Sequence, residues 1–164
     1  MEQLSNINNL PADGDETKII KEILQYIVIR LGDEEYGIDI NYIDNIVRMQ
    51  HVTRVPKVPN YLKGVINLRG EVIPVMSLRL KMGLPEDEIG RATRILILKV
   101  DSEEGAVGVI VDEVKEVVKL ASDEIENVSH DSKSDKPVYV SGVGKNGNDL
   151  ISLLDLSVIN LEDN

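Results

Sequence analysis

Two short apolar runs set the pattern of this chain, Tyr26 to Leu31 (YIVIRL) and Arg94 to Val100 (RILILKV), and each leads through an acidic turn into a glycine-led apolar segment. Aliphatic, β-branched runs of this length bounded by turn residues predict strands. The first half reads as strands at about 25–31 and 35–40, a bend at 41–45, strands at about 46–49, 64–68 and 71–75, and a helical turn from Ser77 to Gly83. The second half repeats that order, with strands near 94–100, 106–111, 113–119, 138–143 and 149–154 and a final helix capped by Asp155. In VPKVPN, Pro56 and Pro59 lack amide donors, so this stretch predicts an extended crossing segment and not a central strand. Residues 1–14 read as a polar leader and Ser129 to Lys136 as a loop. Ile19, Ile20, Ile23 and Leu24 share one side of a helical wheel with Asp15 as N-cap, which predicts a short docking helix.

The halves are related residue by residue. Tyr61 to Leu78 aligns without a gap to Tyr139 to Leu156, which places Gly64 on Gly142, Val65 on Val143, Glu71 on Asp149 and Ile73 on Ile151. Upstream, Gly37 to Met49 aligns with Gly108 to Leu120. Self-similarity in only two long copies excludes a solenoid and predicts two packed, related β subdomains. The expected limits are about 25–90 and 91–164 within one domain spanning 15–164, with exchange of strands between the halves left open. A duplicated scaffold keeps in both copies what the fold needs. The copies part at the turn, where Asn67, Leu68, Arg69 and Gly70 face Lys145, Asn146, Gly147 and Asn148.

Composition narrows the class. Among 164 residues, 56 are Val, Ile or Leu, with no Phe or Trp and 5 Tyr, so the core is aliphatic. Val and Ile suit a pleated, half-buried surface. There is no cysteine and hence no disulfide, which is compatible with a reducing cytoplasm. The start carries no basic region followed by an apolar stretch, and no apolar run approaches the roughly 20 residues of a membrane span, so a soluble, unexported protein without membrane insertion is expected. The 29 acids outnumber 18 bases for a net charge of -11, which opposes the phosphate neutralisation that nucleic-acid binding needs.

Several apparent motifs lose their force in context. Gly142, Gly144 and Gly147 spell G-x-G-x-x-G, but NDLISLL after them reads as a strand, so no helix N-terminus would meet a pyrophosphate. Asn146 and Gly147 are better read as hairpin residues. DSKSD at Asp131 to Asp135 resembles the start of a calcium loop, yet Lys133 occupies a ligand position and the later Gly and Glu are missing. His51 and His130, the only histidines, sit in no ligand spacing. No cysteine nucleophile and no G-x-S-x-G elbow is present. The alternatives of a small β-barrel enzyme or a nucleotide-binding protein are therefore poorly supported, and no catalytic residue, metal or cofactor is expected.

A binding scaffold is left, and the residues point to one. EYGIDINYIDNIV, then VPKVPNYLKGVINLRGEVIPVMSLRLKMGL, then GVIVDEVKEVV resemble the CheW family, coupling proteins of bacterial chemotaxis. The resemblance runs from about Tyr26 onward, and G-V-x-N-L-R-G-x-x-x-P-V-x-x-L, from Gly64 to Leu78, is its most specific part. It implies a mainly β fold of two intertwined five-stranded SH3-like β-barrels with short helices. It also implies a non-enzymatic adaptor in the cytoplasm, held at the inner face of the membrane through receptor arrays. Its partners would be the regulatory domain of the histidine kinase CheA and the cytoplasmic tips of chemoreceptors. A chain of 164 residues lacks room for the further domains of CheA or CheV, so a free-standing coupling protein is expected.

The resemblance maps onto named positions. Arg69 and Gly70 match the family's hairpin motif, and Gly64 and Asn67 match the strand leading into it. Ile43 takes an aliphatic position used for partner contact. Asn45 stands where glutamate is frequent, and Ser77 where aspartate is common, with its helix-capping role intact. Arg69 has no counterpart in the second copy, and a guanidinium on a hairpin tip offers forked hydrogen bonds to a carboxylate or a helix C-terminus. Gly70 supplies the backbone freedom of the turn. Val65, Val72, Ile73 and Val75 alternate, so one face enters the core and the other packs or meets a partner. The expected partner-binding set is Arg69, Gly70, Asn67, Gly64, Ile43, Asn45 and Val72.

Overall fold

The computed structural model describes residues 21–101, 105–128 and 139–158. The expected leader, the Asp15 cap with Ile19 and Ile20, the loop at 129–136 with His130, and the Asp131 to Asp135 stretch lie outside them. The strands are β1 (Ile23–Leu31), β2 (Glu34–Asp39), β3 (Ile43–Arg48), β4 (Leu62–Leu68), β5 (Glu71–Ser77), β6 (Arg94–Asp101), β7 (Gly105–Val111), β8 (Glu113–Ala121), β9 (Ile125–Asn127), β10 (Val140–Asn146) and β11 (Asp149–Leu154). One α-helical turn, α1 (Leu78–Lys81), follows β5.

The fold is mainly β, as the pattern predicts, with two corrections. Ile23 and Leu24 do not belong to a helix: they open β1, paired with Ala121 and Leu120 of β8. The long partner strand supplies backbone hydrogen bonds to residues whose local pattern reads helical, and tertiary pairing overrides the local preference. The bend at 41–45 contracts to a 3-10 turn over Ile40–Tyr42, with the Asp39 carboxylate accepting from the Asn41 N–H at 2.9 Å, and β3 begins at Ile43. Two of the expected caps, Ser77 and Asp155, are present. Ser77 Oγ accepts from Leu80 N at 3.0 Å, and Asp155 Oδ1 accepts from Ser157 N at 3.0 Å at the start of a short 3-10 turn.

The sheet order shows how the repeat is used. One sheet runs β8-β1-β2-β11-β10-β9 and the other β3-β6-β7-β5-β4. Each combines the first two strands of one half with the third, bridging and hairpin strands of the other. The two parallel contacts occupy repeat-related places, Val75 beside Gly108 and Leu153 beside Gly37. Only β9 breaks the correspondence. Where Ile125–Asn127 pairs with β10, the first half has a single bridge, Thr53 to Val65, because the following prolines cannot continue a ladder.

Burial follows from this exchange. β1 sends Ile27, Ile29 and Leu31 into a cluster between the sheets and Val28 into one barrel; β6 sends Leu96 and Leu98 between the sheets and Ile95 and Ile97 into the other barrel. Strands covered on both faces are apolar without interruption, which is why these two segments lack alternation. The shared cluster draws on both halves, with Tyr61, Met76 and Leu78 from one and Val140 and Leu154 from the other.

Candidate partner-binding surface

The β4–β5 hairpin closes through Arg69 and Gly70, between the paired residues Leu68 and Glu71. Both turn residues lie in the left-handed region, Arg69 at φ +53° and Gly70 at φ +84°, the signs of a type I′ turn that follows the twist of its strands. Asn67 Oδ1 accepts from Gly70 N at 3.0 Å, so Asn67 locks the turn from within. Arg69 points into solvent and makes no hydrogen bond or ion pair with any described residue. Val72, beside the tip and opposite Asn67, is 63% exposed, whereas Ile73 and Val75 enter the barrel. Arg69, Gly70, Asn67 and Val72 thus form one local surface.

The other expected residues lie elsewhere. Gly64 is buried at φ +145°, and a Cβ there would sit 2.0 Å from the Thr53 carbonyl oxygen. The close approach brings Thr53 and Val65 into reciprocal backbone hydrogen bonds of 2.8 Å, which tie the crossing segment to the edge of β4. Ile43 and Asn45 stand on β3, at the opposite edge of the same sheet from β4. Ile43 is half-buried against the shared core, and Asn45 Oδ1 accepts from Ile46 N at 2.8 Å beside a bulge. Ile46 on that strand and Tyr42 in the turn before it are exposed.

The exposed apolar residues carry the repeat as well. Val72 on β5 corresponds to Leu150 on β11, and Ile46 on β3 to Val117 on β8; all four are large, apolar and exposed. A position that is exposed yet apolar in both copies is not explained by the core alone. The signal was present in the alignment, but sequence alone cannot separate such positions from core ones.

An ion-pair node escaped sequence reasoning altogether. Arg79 on α1 meets Asp112, between β7 and β8, through two bonds, Nε to Oδ1 at 3.1 Å and Nη2 to Oδ2. Gly32 N donates to Asp112 Oδ2 at 2.8 Å, and Arg30 adds a 3.0 Å bond to Glu113. Burial, the largest single influence, pushes the Asp112 carboxyl up. Arg79, the Gly32 N–H and Arg30 together outweigh it and hold the group below the usual carboxylate range. Nearby, burial pushes the Asp87 carboxyl up against the pull of Ser77 and Arg79. The only sequence hint is that Asp112 interrupts the apolar run GVIVDEV.

The remaining chemistry is sparse. Gly142 and Gly144 lie on β10 and Gly147 at its turn, with β11 immediately after, so no helix follows the glycine pattern. Among the described residues no group of three or more His, Cys, Asp and Glu side chains converges to hold a metal, and no helix is long and apolar enough to cross a membrane.

Known proteins share this architecture over nearly the whole chain. The CheW-like domain matches residues 25–162. The chemotaxis protein CheW of Helicobacter pylori is 36% identical over 150 residues, covering 92% of this chain and 89% of that protein. That of Bacillus subtilis is 38% identical over 143 residues, covering 87% and 90%. The crystal structure of the scaffolding protein TtCheW from Thermoanaerobacter tengcongensis superposes with a TM-score of 0.74 at 30% identity, covering 82% of this chain and 90% of that one.

Proposed function

This chain belongs to the CheW-like domain family, and we propose that as a chemotaxis adaptor it couples the regulatory domain of the kinase CheA to the cytoplasmic tips of chemoreceptors. It performs no catalysis in this reading and works in the cytoplasm beside receptor arrays. The observation that carries it is Arg69. A guanidinium without an ion pair among the described residues stands on a hairpin tip in a backbone conformation that glycine or asparagine would occupy with less strain.

Coupling follows from geometry. Two barrels rigidly joined by a shared core present separate surfaces, and a partner on each is held at a fixed distance and angle to the other. Repeat-related apolar positions at Ile46 and Val117, and at Val72 and Leu150, give each barrel an anchoring spot. The charged fork of Arg69 belongs to one of them alone, which makes the molecule asymmetric toward its partners.

The experiment is a titration of wild type, Arg69→Ala and Arg69→Lys against the kinase regulatory domain and a receptor-tip fragment. Arg69→Ala is expected to change stability by about 0.5 kcal/mol or less and to weaken at least one association by roughly 1–3 kcal/mol. Arg69→Lys recovers only part, because the planar fork is lost. Gly70→Val, which forces a β-branched residue to φ +84°, lowers both stability and binding. Equal affinity of Arg69→Ala for both partners would remove Arg69 from the site.

A further inference from the structure

The longest acid-free stretch of this acidic protein runs from Asn45 to Gly70. It holds Arg48, Arg54, Lys57, Lys63 and Arg69, and none of the chain's 29 acids. Much of it forms the crossing segment and the edge strand β4, so the sequence bias becomes a basic belt along one border of a barrel. Among the described residues, the non-glycine residues at positive φ are Lys57, at +60°, and Arg69, at +53°. Both are long cations within this stretch. Asparagine or glycine would be the unstrained choice at either position.

At the base of β4 the belt borders a groove of about 920 Å³ between the crossing segment and the loop after α1. Val55, Val58, Leu80 and Ile89 line it, with Arg54 and Lys57 exposed at its rim. Its two acids do not offset them: Glu86 is paired with Lys63 at 2.6 Å, and both Asp87 carboxylate oxygens are shielded from solvent. The charge offered to solvent is therefore positive, on a protein whose net charge is -11. The groove lies where the first half has its proline-bearing segment and the second half has β9. Pro56 and Pro59 have no N–H to donate, so an occupant cannot add there as a strand and must bind through side chains.

We propose that this groove is a docking site for an acidic segment of a partner protein, which seats apolar side chains on Val55, Val58, Leu80 and Ile89 while its carboxylates meet Arg54 and Lys57. The volume lies within the range of ligand-binding clefts, and complementary charge steers such an encounter. The site is distinct from the hairpin tip, because Arg69 lies six residue steps beyond Lys63, about 20 Å along an extended chain. The proposal rests on the adaptor reading only in taking the occupant to be a protein.

The test uses the full chain and two fluorescent amphipathic helical peptides with the same leucine face, one carrying Glu and the other Lys on its polar face. Anisotropy is followed at low salt and at about 0.5 M salt, where exposed charges are screened. The Glu peptide is expected to bind at least roughly tenfold more tightly than the Lys peptide, and to loosen as salt rises. Arg54→Glu combined with Lys57→Glu is expected to weaken it by at least about tenfold, as is Val55→Asp, with unchanged circular dichroism. Lys145→Ala, an exposed cation of the second hairpin, leaves it unchanged. Absence of Glu-peptide binding, equal binding of the two peptides, or indifference to the charge reversals overturns the site while leaving the kinase and receptor titrations intact. Loss of self-association in the charge-reversed protein, measured by sedimentation without peptide, would instead assign the groove to a second copy of this chain and overturn the proposal.

Discussion

The two hairpins, β4–β5 and β10–β11, are the same object below their tips and different objects at them. Leu62 pairs with Met76 as Val140 does with Leu154; a register shift follows in each, and Gly64 then faces Val75 as Gly142 faces Leu153. Even the closing bonds correspond, Ser77 N to Tyr61 O at 2.7 Å and Asp155 N to Tyr139 O at 2.8 Å. At the tips, Gly147 takes the positive φ in one, while Arg69 and Gly70 share it in the other. Register and inward side chains answer to the core, which both hairpins enter. At the tips no described residue pairs with the left-handed cation, and the proposed partner contact gives it a reason.

The largest expected effect comes from separating the halves on which this comparison depends. A chain ending at residue 90 keeps β3, β4 and β5 but loses β6 and β7, which stand between β3 and β5 in the sheet. It also loses the other half's share of the common core. The fragment is expected to lack cooperative thermal unfolding and to bind a hydrophobic dye, since so short a piece buries too little surface. A sharp calorimetric transition would show that the first half is a folding unit.

Gly64 and Gly142 sharpen the comparison at equal positions. A Cβ on Gly64 meets the Thr53 carbonyl oxygen at 2.0 Å with the backbone at φ +145°, whereas on Gly142 the nearest atom is Glu126 O at 3.1 Å. Gly64→Ala is therefore expected to cost about 4 kcal/mol or prevent folding, and Gly142→Ala about 1 kcal/mol. Urea unfolding of both variants checks this. Equal losses would mean that the crossing segment yields as easily as β9.

The Arg79–Asp112 node breaks the symmetry inside the protein, since its repeat-related residues are Asn41 and Ser157. Removing the acid leaves a nearly buried guanidinium without its charge partner, so Asp112→Asn is expected to cost about 3 kcal/mol at neutral pH. The folded Asp112 carboxyl titrates below its unfolded value. Its contribution is thus complete above about pH 4 and is lost as pH falls through the folded value. Asp87 has the opposite sign: its raised carboxyl favours the folded state more as pH falls. Acid unfolding of Asp112→Asn should be shallower than that of wild type, and a parallel curve would refute this assignment.

What the sequence disclosed depends on whether the determining physics is local. YIVIRL and RILILKV identified strands because apolar continuity is itself the imprint of burial. The repeat was legible because both copies face the same packing demands. Ser77 and Asp155 were legible as caps because capping acts over two or three residues. Ile23 and Leu24 were misjudged because β8, nearly a hundred residues away, decides their conformation. Asp112 and Arg79, 33 positions apart, meet only once the strands are assembled. At the site, motif and repeat together singled out Arg69. They could not reveal that Asn67 is turned inward to Gly70, or that Gly64 is buried under Thr53.

The smallest expected effect is the most discriminating, because it separates fold from function at one atom-sized change of backbone preference. Arg69 occupies φ +53°, the first position of a type I′ turn, where Asn-Gly is the favoured dipeptide. If the fold alone chose the residue, asparagine would serve better. Arg69→Asn is therefore expected to raise stability by about 0.5 kcal/mol, through relief of left-handed strain. It removes the guanidinium at the same time, so affinity for the partner that Arg69 contacts is expected to fall by about as much as in Arg69→Ala. Melting temperature and affinity then move in opposite directions for a single substitution. A variant that is less stable would show that the arginine is held in place by the turn, and a more stable variant with full affinity would show that the second hairpin's bare tip is sufficient for binding.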